Sequence, residues 1–162
     1  MKKKRVSLRA PRPGDMGRVV QLHGELYARE FGYDTRFEAL VAEIAAGFVH
    51  NFRPGLERCW IAEMNGEVVG SVFLVRQSRT TSKLRLLVLH PKARGLGLGR
   101  RLTRACIRFA RRAGYRKMLL WTQSHLAAAR AIYQAEKFRK ISSEKHNSFG
   151  KRLVAETWEL KL

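Results

Sequence analysis

Cysteine is scarce: Cys59 and Cys106 are the only two in 162 residues, too few for a disulfide framework and without the paired spacing of a zinc site. A reducing, cytoplasmic setting and no metal are the expectations. Long apolar runs are missing as well. No stretch approaches the roughly 18 residues a membrane-spanning helix needs, and Met1 to Arg5 (MKKKR) runs into VSLRAPRPGD rather than into the apolar segment of an export signal. Neither a membrane protein nor an exported precursor is expected. Internal repeats, low-complexity tracts and long linkers do not occur either. The 18.6 kDa chain, 45% hydrophobic, therefore reads as a basic tail at 1–5 and one domain at 6–162 with enough apolar residues for a core.

Acidic residues are the remaining shortage. Thirteen Asp and Glu face 33 Lys and Arg, a net charge of +20 and a pI near 11.2, far beyond what solubility asks of a small domain. Such a balance points either to a polyanion or anionic ligand or to a cationic surface with no partner. The excess is uneven. Asp15 to Glu43 holds six acids (Asp15, Glu25, Glu30, Asp34, Glu38, Glu43) against three arginines.

The order of elements is readable from periodicity and punctuation. Val6 to Ala10 predicts a short strand ended by Pro11-Arg12-Pro13-Gly14. Asp15 then stands as an N-cap before Met16, Val19, Val20, Leu22, Leu26 and Tyr27 at helical spacing. That helix ends near Gly32, and Thr35 with Glu38 reads as a capping box for a second stripe, Phe37, Leu40, Val41, Ile44 and Phe48. Asn65-Gly66 between Cys59–Met64 and Val68–Val75 is a hairpin signal, since both central turn residues need positive φ. Leu84 to Leu89 is a buried central strand, Gly99 to Ala113 a helix with an arginine-rich outer face, Lys117 to Thr122 a strand and Leu126 to Ala135 a helix. Strands near Arg139–Ser142 and Val154–Leu160, joined by a polar loop, complete β α α β β β α β α β β. The class is mixed α/β, a mostly antiparallel single sheet with one locally parallel pair and flanking helices.

Between the strand at Leu84–Leu89 and the next helix lies Arg94-Gly95-Leu96-Gly97-Leu98-Gly99-Arg100-Arg101. Unsatisfied N–H groups and the positive end of the helix dipole face outward there, and glycines let the backbone approach an anion. The alternative is a tight turn without a ligand. A Walker loop is excluded because no GK[ST] follows, and a dinucleotide fingerprint because Gly95, Gly97 and Gly99 are spaced two and two.

The spacing resembles the R-x-x-G-x-G signature of the GCN5-related N-acetyltransferases (GNAT), as Arg94, Gly97 and Gly99, preceded by V-x-x-P as Val88 to Pro91. The runs LRLLVLHPKARGLGLGRRL, CIRFARRAGYRKMLLWT, AARAIYQAEKFRKI and SFGKRLVAETWELKL also look like the acetyltransferase half of bacterial MarR–GNAT fusion proteins. Likeness extends from Leu8 to Leu162, without the fused regulator. The resemblance implies acetyl-coenzyme A as co-substrate. Its pyrophosphate would lie on the N–H groups from Gly95 to Arg100 (Gly95, Leu96, Gly97, Leu98, Gly99, Arg100), with Arg94 adding charge. It also implies a bulged strand that splays from its parallel neighbour, so that Leu87, Val88 and Leu89 meet the pantetheine arm.

Acetyl transfer to a primary amine of a small molecule or protein needs a neutral nucleophile, a stabilised oxyanion and a proton for the departing thiolate. Tyr133 matches the tyrosine that the resembling family places near the sulfur; the other reading is a core tyrosine. For the base, Glu30 is preferred over Glu63, Glu25 and His146. Tyr27, Glu30, Tyr33 and Asp34 would line an acceptor cleft to which the acidic segment draws a cationic amine. Two positions depart from the pattern: Lys137 stands where a glycine is usual before Phe138, and Gln123 where an asparagine is common. The competing class is a nucleic-acid- or ribosome-associated basic module, motivated by MKKKR and by Arg101, Arg104, Arg108, Arg111 and Arg112. A homodimer is common in the resembling fold, and nothing in the sequence marks its surface.

Overall fold

The computed structural model describes residues 4–162; Met1 to Lys3 of the predicted basic tail lie outside them. Seven strands form one sheet: β1 (Val6–Arg9), β2 (Arg58–Met64), β3 (Glu67–Arg76), β4 (Thr81–Leu89), β5 (Lys117–Gln123), β6 (Arg139–Ser148) and β7 (Lys151–Lys161). Four helices accompany them: α1 (Asp15–Phe31), α2 (Thr35–His50), α3 (Leu98–Arg112) and α4 (Ala127–Ala135). The element order matches the one read from the sequence, with a 3-10 turn added at Pro91–Ala93. Strand order is β1-β2-β3-β4-β5-β7-β6, and among the described residues only β4 and β5 run parallel.

Alternation along the strands feeds two layers. Trp60, Ala62, Leu74, Leu84, Met118 and Leu120 pack with Leu102, Cys106 and Ala110 of α3 and Tyr133 of α4. Cys59, Ile61 and Phe73 point the other way, onto Val19 of α1 and Phe48 of α2. Both helix pairs thus bury one stripe each, on opposite faces of the sheet.

Three local expectations are corrected. Gly14, at φ 94°, caps α1, because the Asp15 carboxylate turns back to the Arg9 guanidinium at 2.7 Å and to the Arg12 N–H at 2.6 Å. Asp34, in extended conformation, caps α2 by accepting the Arg36 N–H at 3.0 Å; Thr35 is already the first helical residue. The expected polar loop after Ser142 is strand: β6 continues to Ser148 and returns through Phe149-Gly150, whose positive φ values of 58° and 77° repeat the turn geometry of Asn65-Gly66 at 52° and 82°.

The feature that shapes the site lies in β4. Its pairing with β5 covers only Thr81–Leu84 against Lys117–Leu120. Leu86 has φ 51° and the β3–β4 register slips between Ser71 and Phe73. A bulge results, pinned by the Ser71 hydroxyl donating to the Leu86 carbonyl at 2.9 Å. Beyond it β4 parts from β5 and leaves a gap in the sheet.

Candidate active site

The loop after β4 presents a row of free donors. Among the described residues no carbonyl or side chain accepts the N–H groups of Gly95, Leu96, Gly97, Leu98, Gly99 and Arg100, whereas the Arg94 N–H on one side and the Arg101 N–H on the other are bonded within the fold. Gly95 and Gly97 have φ of 76° and 73°, and a Cβ at either would meet nothing within 4 Å. Their role is the left-handed backbone that turns the donors outward. Gly99 serves differently from the expectation. A Cβ there would lie 2.7 Å from Ile132 Cδ1, so it allows α3 to pack closely on α4. The dipole of the 15-residue helix α3 adds to the positive potential at this end. Of the arginines, Arg94 makes a two-pronged pair with Glu30 at 2.7 and 3.1 Å, and Arg100 holds Glu136 at 2.7 Å. These donors fit a phosphate or diphosphate.

A cavity of about 130 Å³ opens at the gap between β4 and β5 and is roofed by α1 and α2. Leu87 is on its wall, Val88 is buried against Leu22 and Leu26, and the Leu89 carbonyl accepts from Arg94 Nε at 3.3 Å. Tyr133 reaches the cavity from α4. Its ring packs on Phe138 and Trp158, its hydroxyl has no hydrogen-bond partner among the described residues, and burial pushes its pKa up. It is a core residue on one side and a cavity residue on the other.

Gln123 is buried on the same wall. His146 Nε2 donates to its Oε1 at 2.9 Å, while the amide Nε2 is the one buried side-chain polar atom of the described residues left without a partner. An unmet donor in a cavity wall fits a ligand carbonyl.

The predicted acceptor residues divide. Tyr27 and Tyr33 line the cavity in an aromatic cluster with Phe37 and Phe149. Burial lifts the Tyr27 phenol to about 12, and the Tyr33 hydroxyl shares a hydrogen bond with His125 Nε2 at 2.7 Å. Glu30 and Asp34 are absent from the wall: one is tied to Arg94, the other to Arg36 and the α2 cap. The acidic segment lines the cavity with its aromatic and apolar residues and not with its acids: Glu25, Glu38 and Glu43 are exposed and Asp15 is spent on Arg9. Among the other base candidates, Glu63 pairs with Arg9 at 2.7 Å on the far strands and Glu25 accepts from Gln21. His146 alone adjoins the cavity, through Gln123, and it sits in a strand rather than a loop.

Three wall residues escaped the sequence reading. Among the described residues, Lys83 and Arg85 carry the only formal charges on the cavity wall. Their signal was the S-K-L-R-L alternation, which places both on one face of β4. His23 is buried, donates from Nδ1 to the Val19 carbonyl at 2.8 Å and is lowered to about 4 by burial; helical spacing hides it among the apolar stripe.

Comparison with known proteins settles the family. The model of the Acetyltransferase (GNAT) family matches residues 21–138. The chain belongs to the GNAT family. Among curated relatives, N-acetylaspartate synthetase of Danio rerio is 30% identical over 104 residues, 64% of this chain and 37% of that protein. Human N-acetyltransferase 8B is 34% identical over 86 residues, 50% of this chain and 38% of that protein. The chain thus spans well under half the length of these relatives. Among solved structures, a Salmonella typhimurium protein described as an acetyltransferase and determined with its cofactor acetyl-CoA superposes with a TM-score of 0.77 at 20% identity, covering 98% of this chain and 94% of that one. A ribosomal-protein-alanine N-acetyltransferase from Brucella melitensis gives 0.77 at 19% identity, covering 96% and 99%. Both share the GNAT fold.

Proposed function

We propose that this GNAT protein transfers the acetyl group of acetyl-CoA to a primary amine by direct attack in a ternary complex. The observation that carries the reading is the row of unpaired N–H groups from Gly95 to Arg100 at the head of α3, in the loop that follows β4, together with a cavity that opens where β4 leaves β5. Acetyl-CoA brings the thioester; the chain binds, orients and manages protons. The loop N–H groups take the pyrophosphate, and the free edge at Leu87, Val88 and Leu89 takes the pantetheine amides in place of β5. Tyr133, kept protonated by burial, donates a hydrogen bond to the sulfur as the C–S bond breaks and the N–C bond forms. The proton lost by the amine nitrogen ends on the thiol.

Glu30 is not proposed as the base, because both its oxygens are held by Arg94. The two cysteines are free and buried, which suits a reducing compartment, and no helix among the described residues is long and apolar enough to cross a membrane. The exposed arginines of α3 supported the nucleic-acid reading, but the donor row beside a cavity supports an anionic co-substrate with an adjoining acceptor better, so that reading ranks below the enzyme.

Thiol release from acetyl-CoA across a panel of primary amines tests the activity. In Tyr133→Phe, kcat falls by about 10²-fold with acetyl-CoA affinity retained; an unchanged kcat returns Tyr133 to a purely packing role, and no amine-dependent thiol release from the wild type rejects the function.

A further inference from the structure

Lys83 and Arg85 stand one strand repeat apart on the face of β4 that borders the cavity. Both are half-buried. Among the described residues neither side chain has a hydrogen bond or an ion pair, although most acids of the chain are engaged with some arginine or lysine. No Asp or Glu lines the cavity to balance them. Two adjacent, partly desolvated cations without a counter-ion are costly in a folded chain. Burial, and for Lys83 also the neighbouring Arg85 charge, holds both below their ordinary pKa.

Their place in the strand separates them from the coenzyme phosphates. They precede the Leu86 bulge, whereas the phosphate loop follows Leu89, on the order of 13 Å further along the strand at about 3.3 Å per residue. A ligand anion here belongs to the acceptor.

Resting on the acetyltransferase reading above, we infer that the acceptor is an amine that also carries a carboxylate, and that Lys83 and Arg85 bind that carboxylate on the acceptor side of the cavity. An amino acid satisfies this chemistry; a polyamine or a lysine side chain within a protein does not. The same two cations disfavour the ammonium form of the bound amine, so they also promote the neutral nucleophile that must attack. The expected draw of the acidic segment on a cationic amine is replaced by the opposite polarity at the cavity itself.

The test compares common L-amino acids with their carboxamides as acceptors, and N-acetyl-L-amino acids with their carboxamides as ligands in thermal shift without coenzyme. The acids are acetylated with kcat/KM about 100-fold above the amides, and only the N-acetyl acids raise Tm. In Lys83→Gln and Arg85→Gln the preference shrinks at least tenfold through KM, acetyl-CoA affinity stays, and the Tm of the free protein rises because mutually repelling, half-buried charges are removed. A purely structural pair would lower Tm instead. Equal use of acids and amides, equal or absent Tm shifts for both ligand sets, or variants that leave the preference intact overturns the inference. Failure of acetyl-CoA to bind rejects the acetyltransferase reading instead, and the thermal-shift arm still decides the role of the cation pair.

Discussion

His23 shows how much one residue's surroundings decide. It sits in α1, faces Tyr27 at 5.9 Å and Phe37 at 6.2 Å, and is 2% exposed. Its ring is neutral in the fold because burial lowers the pKa to about 4 from an ordinary 6.5. The unfolded chain therefore binds more protons than the folded one between those values. Stability from this site is complete above pH 6.5 and drains as pH falls toward 4, by roughly 3 kcal/mol in all. Urea unfolding at pH 7 and pH 5 should show the loss, and His23→Gln should flatten it; an equal slope in the variant assigns the pH dependence to other groups. Tyr133 carries a similar lesson. Its position in AARAIYQAEKF matches a family pattern, but the sequence leaves open whether the phenol is packed or presented, and the structure shows it as both.

At the scale of the elements, Lys137 is the clearest departure from local preference. It ends the turn after α4 with φ 71°, a left-handed conformation that costs a side-chain-bearing residue about 1 kcal/mol relative to glycine. The residue is exposed and unpaired among the described residues. Lys137→Gly should raise the unfolding free energy by about 0.5–1 kcal/mol in urea titration with m unchanged; a loss would mean that the side chain makes a contact that offsets the strain. Most elements were legible because they are amphipathic: the stripes of α1, α2 and α3 and the Asn65-Gly66 hairpin announce themselves. β6 was read short because both of its faces are largely exposed, so RKISSEKHNS offers no alternation to detect. The two caps shifted by one residue, since Asp15 is claimed by Arg9 and Asp34 reaches the Arg36 N–H first. For the site, the phosphate loop could be read from contiguous residues. The cation pair could not, because its meaning depends on which charges lie across a cavity assembled from α1, α2, β4, β5 and α4.

Across the whole molecule the net charge of +20 acquires a partial explanation. Two places gather positive potential for a ligand, the donor row at the head of α3 and the Lys83–Arg85 wall, and the field of the remaining basic residues draws anionic substrates toward the same body. The acids of residues 15–43 are turned outward or spent on arginines, so the uneven charge visible in the sequence does not mark the acceptor site. The central proposal, supported by the fold, the donor row and the cavity, is that the loop from Gly95 to Arg100 holds the diphosphate of acetyl-CoA. Its most direct test is an amide-resolved NMR titration with coenzyme A, run beside calorimetry on Gly97→Trp. The account predicts saturable shifts concentrated at the Gly95–Arg100 amides and loss of binding in the variant with its fold intact. Saturable binding that leaves those amides unmoved, or that survives the tryptophan, would contradict it.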